Sequence, residues 1–304
     1  MLLPPPQAPS VIDPTHQSVG DYWSNRRSAS PNWWTNRLVI RHVNRLVCGT
    51  PHRDISQGVV ELAGRAAGGD PFRRAVSVGC GSGAKELSLL RAGVAEHMTG
   101  FDLAAARIAD ARAAAREAGF SDRAEFVTGD AFTTCAPTSF DLVYWNNALH
   151  HMFNVDEALA WSRNVLTPGG LLLVDEYVGP DRLRFEGETL AFANAVRGLL
   201  PERLRAGAEP AFTPESFAPV AAKDPSEAAD SARILPALRD QFEDIDIRPT
   251  GGVVYYLALN ALFGNFDMAS SDDRALLGHL LELDRVYTAA RPDATVYAVA
   301  IARR

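Results

Sequence analysis

The sequence predicts an α/β fold, a parallel sheet doubly wound with helices on both faces, and three observations carry that reading. Residues 72–178 alternate strand-like and helix-like stretches five times, a pattern that builds a parallel sheet with right-handed crossovers. The run Val76-Ser77-Val78-Gly79-Cys80-Gly81-Ser82-Gly83-Ala84-Lys85-Glu86 passes from an apolar, β-branched stretch through a glycine-dense turn into a helix former. Two further strand-like runs then end on carboxylates, Asp102 and Asp130. In open sheets of this kind, ligands bind outside the carboxyl ends of the strands.

The elements follow in order. Residues 1 to about 17 are rich in proline and are expected to be ordered only where they touch the body. Residues 18–70 hold Tyr22, Trp23, Trp33 and Trp34, followed by the amphipathic stretch Leu38-Val39-Ile40-Arg41-His42-Val43-Asn44-Arg45-Leu46-Val47. Residues 1–70 are therefore expected to form a helical N-terminal cap. Residues 71–304 are expected to form the ligand-binding domain, with helices near 84–92, 104–118 and 155–166. Residues 179–240 interrupt the alternation with helical stretches near 185–200 and 226–241, and read as a helical lid insertion. The sheet then resumes with Asp244-Ile245-Asp246-Ile247-Arg248, a helix over 275–289 and Thr295-Val296-Tyr297-Ala298-Val299-Ala300-Ile301.

A glycine turn at a strand end lets the backbone approach a ligand, and the helix that follows offers unpaired N–H groups. Asp102 stands about twenty residues on, where a carboxylate can accept hydrogen bonds from both hydroxyls of a ribose. An adenosine-containing cofactor is implied. The glycines fit two patterns: Gly79-x-Gly81-x-x-Ala84 matches the dinucleotide fingerprint, and Gly79-x-Gly81-x-Gly83 matches an S-adenosylmethionine (SAM) loop.

The surroundings favour SAM. The runs Phe126-Val127-Thr128-Gly129-Asp130-Ala131, Phe140-Asp141-Leu142-Val143-Tyr144-Trp145-Asn146-Asn147-Ala148-Leu149-His150-His151 and Leu166-Thr167-Pro168-Gly169-Gly170-Leu171-Leu172-Leu173-Val174-Asp175-Glu176 follow in turn. This succession resembles the motif series of class I SAM-dependent methyltransferases, over roughly residues 72–177. Later stretches, among them Asp224-Pro225-Ser226-Glu227-Ala228, resemble a bacterial small-molecule subgroup of that family. The resemblance implies a Rossmann-like sheet of seven strands with the last one antiparallel. It implies that Gly79, Gly81 and Gly83 pass close to the methionine part of SAM, with Cys80 as a small residue inside the loop. Asp102 would take the ribose and Leu103 would pack on the adenine. Asp130 would accept the adenine amino group and Ala131 would support the ring. Asn146 and Asn147 would face the sulfonium side, and Tyr22 would close over the cofactor.

His150 and His151 come just after the fourth strand, and histidine can take a proton from a hydroxyl near neutral pH. Both are candidate bases, with His151 favoured. Packing at the strand–helix corner is the plainer reading. Glu176 closes the fifth strand and could orient or deprotonate a substrate hydroxyl. Asp175, Glu176 and a histidine could in principle hold a divalent ion, but their spacing is not distinctive and no metal is assigned. Asp141 begins its strand, far from the carboxyl ends, and reads as structural.

Bulk properties bound the function. The net charge of −7 argues against a nucleic-acid partner. Lysine is confined to Lys85 and Lys223. The cysteines Cys48, Cys80 and Cys135 show no metal spacing. No apolar run is long enough to span a membrane, so a cytoplasmic enzyme with no membrane partner is expected. A homodimer is left open. The expected activity is methyl transfer from SAM to a small-molecule acceptor, such as a hydroxyl of a sugar or of a natural-product intermediate. Two alternatives stand beside it. One is an NAD-dependent oxidoreductase, disfavoured by the long segment before the first strand and the lack of a Tyr-x-x-x-Lys dyad. The other is a SAM-fold scaffold without transfer activity.

Overall fold

The computed structural model describes residues 32–304. The expectations placed on Tyr22 and Trp23 lie outside the described residues. After a 3-10 turn at Trp33–Thr35 come α1 (Arg37–Cys48) and α2 (Gln57–Ala66). The Asn36 side chain starts α1 by accepting from the Leu38 and Val39 N–H groups, and Gly49 ends it in the left-handed region at φ 85.

The alternating part follows: β1 (Phe72–Val78), α3 (Ala84–Arg91), β2 (Ala95–Asp102), α4 (Ala105–Glu117), β3 (Ala124–Thr128), the single turn α5 (Ala131–Thr134), β4 (Phe140–Asn146), α6 (Val155–Val165) and β5 (Leu166–Tyr177). Next come α7 (Gly187–Leu199), α8 (Glu202–Arg205), α9 (Ala218–Lys223) and α10 (Ile234–Gln241). The chain closes with β6 (Asp244–Gly251), a π-helical turn at Val253–Ala258, α11 (Ser271–Ala290) and β7 (Tyr297–Arg303).

The seven strands form one sheet in the order β3-β2-β1-β4-β5-β7-β6. Strands β1 to β5 run parallel, and β7 inserts antiparallel between β5 and β6. The strand order reverses between β1 and β4, which places the crevice of a doubly wound sheet above the glycine turn.

Side-chain alternation along β4 divides the core between two faces. Leu142 and Tyr144 pack with Val47, Leu62, Leu90 and Ile108 from α1 to α4. Val143 and Trp145 pack with Leu159 of α6 and Leu238 of α10. Trp145 is fully buried, and its Nε1 donates to Ser162 Oγ at 2.9 Å. A third core joins Val39 to α7, the π-helical turn and α11.

One expected helix is shorter than its sequence suggests. Residues 226–233 hold turns and a 3-10 segment, and α10 begins only at Ile234. Tertiary hydrogen bonds claim this backbone instead. Asp224 Oδ1 accepts from Ser226 N, and Asp181 Oδ1 accepts from Ala232 N. The Ala229 N–H meets the carbonyl of His150 at 3.0 Å. Asp141 accepts from Arg73 N and Arg74 N at 2.7 and 2.8 Å, which ties the start of β4 to β1.

Candidate active site

The glycine turn is latched to the end of β2. Gly81 N donates to Asp102 Oδ2 at 2.8 Å, and Ala104 N donates to Asp102 Oδ1 at the same distance. Burial pushes the Asp102 carboxyl up from its usual value. Two glycines show what the turn demands. Gly83 sits at φ +74, and a Cβ there would come within 2.6 Å of the Phe126 ring. Gly81 sits at φ +54, but a Cβ there would meet nothing within 4 Å. Gly83 is thus required by packing, while Gly81 faces open space beside Asp102. Gly79 is exposed, Leu103 half-buried and Cys80 buried, with burial raising the Cys80 thiol pKa. Under the turn, Ser77 Oγ donates to the buried Glu86 carboxyl at 2.7 Å, and burial pushes that carboxyl up to about 7.

Asp130 caps α5, its Oδ1 accepting from Phe132 N at 2.8 Å, and Ala131 is buried beneath it. Gly129 N donates to the Asp102 carbonyl at 3.1 Å, so the acidic ends of β2 and β3 are adjacent.

Beyond β1, the ends of β4 and β5 carry a polar floor. Asn146 Nδ2 donates to Asp175 Oδ2 at 2.8 Å. Asn147 is exposed in the left-handed region at φ 49, where asparagine is among the better-tolerated residues. Its N–H donates to the Asp175 carbonyl at 2.9 Å. Lys85, at the start of α3, donates to Ser56 Oγ at 2.7 Å. Desolvation lowers the Lys85 pKa, and the Asp175 charge works against that shift. Desolvation also pushes the Asp175 carboxyl up to about 6. Nothing in the sequence gave Lys85 or Ser56 a role, although Lys85 stood out as one of two lysines.

The paired histidines have different settings. Glu176 is fully buried: its Oε1 accepts from Ala148 N and Leu149 N at 2.6 and 2.7 Å, and its Oε2 meets His150 Nδ1 at 2.6 Å. Burial is the largest influence on the His150 ring and opposes its charge. The Glu176 carboxylate outweighs it, helped by Glu227 and Asp224, and the His150 pKa is raised. His151 Nδ1 stands 3.1 Å from Ser226 Oγ, which itself donates to Asp224 Oδ1 at 2.6 Å. A hydroxyl has one proton to give, so the ring accepts none from Ser226 and presents Nδ1–H to it. The two imidazoles lie with centroids 4.2 Å apart.

Some of these groups border a cavity of about 530 Å³. Lys85, Asn147, His150, His151, Asp175 and Glu227 supply its polar side. Its other side is aromatic: the Tyr297 ring lies 5.0, 5.7 and 5.4 Å from those of Trp33, Tyr177 and Tyr256. A larger hollow of about 870 Å³ lies at the other end of the strands, around Arg163, Asp244 and Arg303, away from all of these groups. Asp175 and Glu176 do not assemble a metal-ligand set with a histidine among the described residues. Adjacent strand positions point to opposite faces, and the Glu176 oxygens are already engaged.

Residues 76–174 match the family model described as a methyltransferase domain. The chain is 32% identical over 112 residues to a sterol 24-C-methyltransferase of Gibberella zeae, a match covering 36% of this chain and 29% of that protein. It is 29% identical over 128 residues to the 27-O-demethylrifamycin SV methyltransferase of Amycolatopsis mediterranei, covering 41% and 47%. The chain thus spans less than half the length of either relative. A solved geranyl diphosphate C-methyltransferase of Streptomyces coelicolor, in complex with Mg2+, geranyl diphosphate and S-adenosyl-L-homocysteine, shares the fold. It aligns with a TM-score of 0.57 at 15% identity over 98% of this chain and 100% of that one. Over residues 76–174 the chain thus carries a methyltransferase domain. No helix among the described residues is long and apolar enough to cross a membrane.

Proposed function

We propose that this chain transfers a methyl group from SAM to a small molecule held in the 530 Å³ cavity, and that the accepting atom is a hydroxyl oxygen. The observation that carries this reading is the placement of two sets of groups at the carboxyl ends of the strands flanking the sheet's switch point. On one side, open space over Gly81 stands beside Asp102, and on the other the cavity brings His151 and Asn147 to the end of β4.

The residues fit the cofactor. The bare backbone at Gly81 leaves room where a side chain would stand. Asp102 retains acceptor capacity for a ribose beyond its two backbone bonds, and Asp130 stands next to it for the adenine. Bound there, SAM supplies an electrophilic methyl group on sulfur. The chain's own contribution is alignment, and holding two reactants in line can supply roughly 7–11 kcal/mol of the barrier. The described N-terminal residues 32–66 and the segment 179–240 serve as cap and lid, because Trp33 and Phe217 from these segments border the cavity.

His150 is held by Glu176 through Nδ1 and packs beside the His151 ring. His151 is the side chain through which the acceptor hydroxyl loses its proton, its ring oriented by Ser226 and Asp224. The aromatic wall suits an acceptor with a flat or apolar body. His151→Ala is expected to lower turnover by about a hundred-fold or more while leaving the SAM dissociation constant unchanged. Single-turnover assays against an acceptor panel, paired with SAM titration, check this. Full turnover in the variant would remove His151 from the reaction.

A further inference from the structure

We infer that His151, Asp224 and Glu227 form a binding site for a divalent first-row transition cation on the wall of the cavity. Their ligand atoms all lie within 4.8 Å of one another. One imidazole nitrogen with two carboxylates is a donor set suited to Mn2+, Fe2+ or Zn2+, whereas Ca2+ takes oxygen ligands alone.

A second observation points to a missing ligand. Asp224 is completely buried, and its Oδ1 is taken by Ser226 N and Ser226 Oγ at 2.9 and 2.6 Å. Its Oδ2 has no hydrogen-bond partner and lies 3.9 Å from His151 Nδ1. A buried carboxylate oxygen left unmatched is costly, and a cation on it would remove that cost.

The surrounding charge agrees. Three carboxylates, Glu176, Asp224 and Glu227, face two imidazoles, His150 and His151. His151 and Glu227 line the cavity, so a cation between them would be open to an acceptor on that side. With a cation bound, the remaining His151 lone pair is taken, so the cation stands as an alternative to His151 as base: it would ease ionisation of an acceptor hydroxyl, whose proton then passes to water. Only that use rests on the methyl-transfer reading; the site itself stands apart from it.

The cluster Cys48, His52 and Glu61 has similar spacing but lacks the second observation. Glu61 already meets His52, Arg65 and Thr50, and the Cys48 thiol donates to the Asn44 carbonyl.

The test is titration of the chelator-dialysed full chain with MnCl2, free Mn2+ being read by electron paramagnetic resonance, and with ZnCl2 by calorimetry. Saturable binding of a single ion per chain is expected. Asp224→Asn and Glu227→Gln should each weaken it about ten-fold or more, and His52→Gln should not. Glu227 lies at the cavity rim, so its variant keeps the test decisive should Asp224→Asn fail to fold. Silence with both metals, wild-type affinity in the Glu227 variant, or loss confined to the His52 variant would overturn the site. Titrating the same metal-free protein with SAM reads the cofactor assignment separately.

Discussion

Asp102→Ala is expected to weaken SAM binding by roughly ten-fold to a hundred-fold for each ribose hydrogen bond lost. Hydrogen bonds to a charged group are each worth about 1.5–3 kcal/mol, and about 1.4 kcal/mol is a factor of ten in affinity. The loss has two sources. The ribose hydroxyls lose their acceptor, and the Gly81 and Ala104 N–H groups lose theirs. Asp102→Asn separates the two, because an amide oxygen can still hold one backbone N–H while the charge is gone. The alanine variant should therefore bind more weakly than the asparagine variant, and both more weakly than wild type, by calorimetry. Wild-type affinity in the alanine variant would contradict the ribose assignment.

The largest effect on stability is expected at Glu176. Its side chain is completely buried, and it accepts from Ala148 N, Leu149 N and His150. Glu176→Ala strips two buried N–H groups of their acceptor and leaves an imidazole without its counter-charge. Removing one partner of a buried pair costs about 3–5 kcal/mol. Urea unfolding should show a loss of that size. Glu176→Gln, which keeps an oxygen for the two N–H groups, should lose clearly less. A change below about 1 kcal/mol in the alanine variant would mean that the corner after β4 is held by something else.

The contrast at Glu176 shows which parts of the site can be read from sequence. Strand β4 was legible because Leu142, Val143, Tyr144 and Trp145 are all apolar, as a strand buried on both faces must be. The turn at Gly79, Gly81 and Gly83 was legible because its glycines lie between a strand run and a helix run. The antiparallel insertion of β7 came from the family resemblance. At the end of β5, Asp175 and Glu176 look alike in sequence. Only strand parity and the fold of the Ala148–His150 corner send Asp175 to the cavity floor and Glu176 inward.

Asp224, Ser226 and Glu227 reach His150 and His151 across about seventy-five residues of chain. Local pattern carries no information on such a pairing, and the same contacts prevented residues 226–233 from forming the expected helix. The tyrosine wall was hidden for a related reason. Tyr255 and Tyr256 stand in a π-helical turn set up by Gly251 and Gly252. That turn is held by Asp284, which accepts from Gly252 N and Val254 N. The paired glycines are the one local signal that could have marked the place.

The most direct test of the central claim is calorimetric titration of the purified chain with SAM, S-adenosylhomocysteine and NAD. Saturable binding of the first two, in the micromolar range, with no heat from NAD, is the result the site predicts. Binding of NAD alone would contradict the methyltransferase account and point to an oxidoreductase, and silence from all three would leave a fold without the cofactor on which the proposed reaction depends.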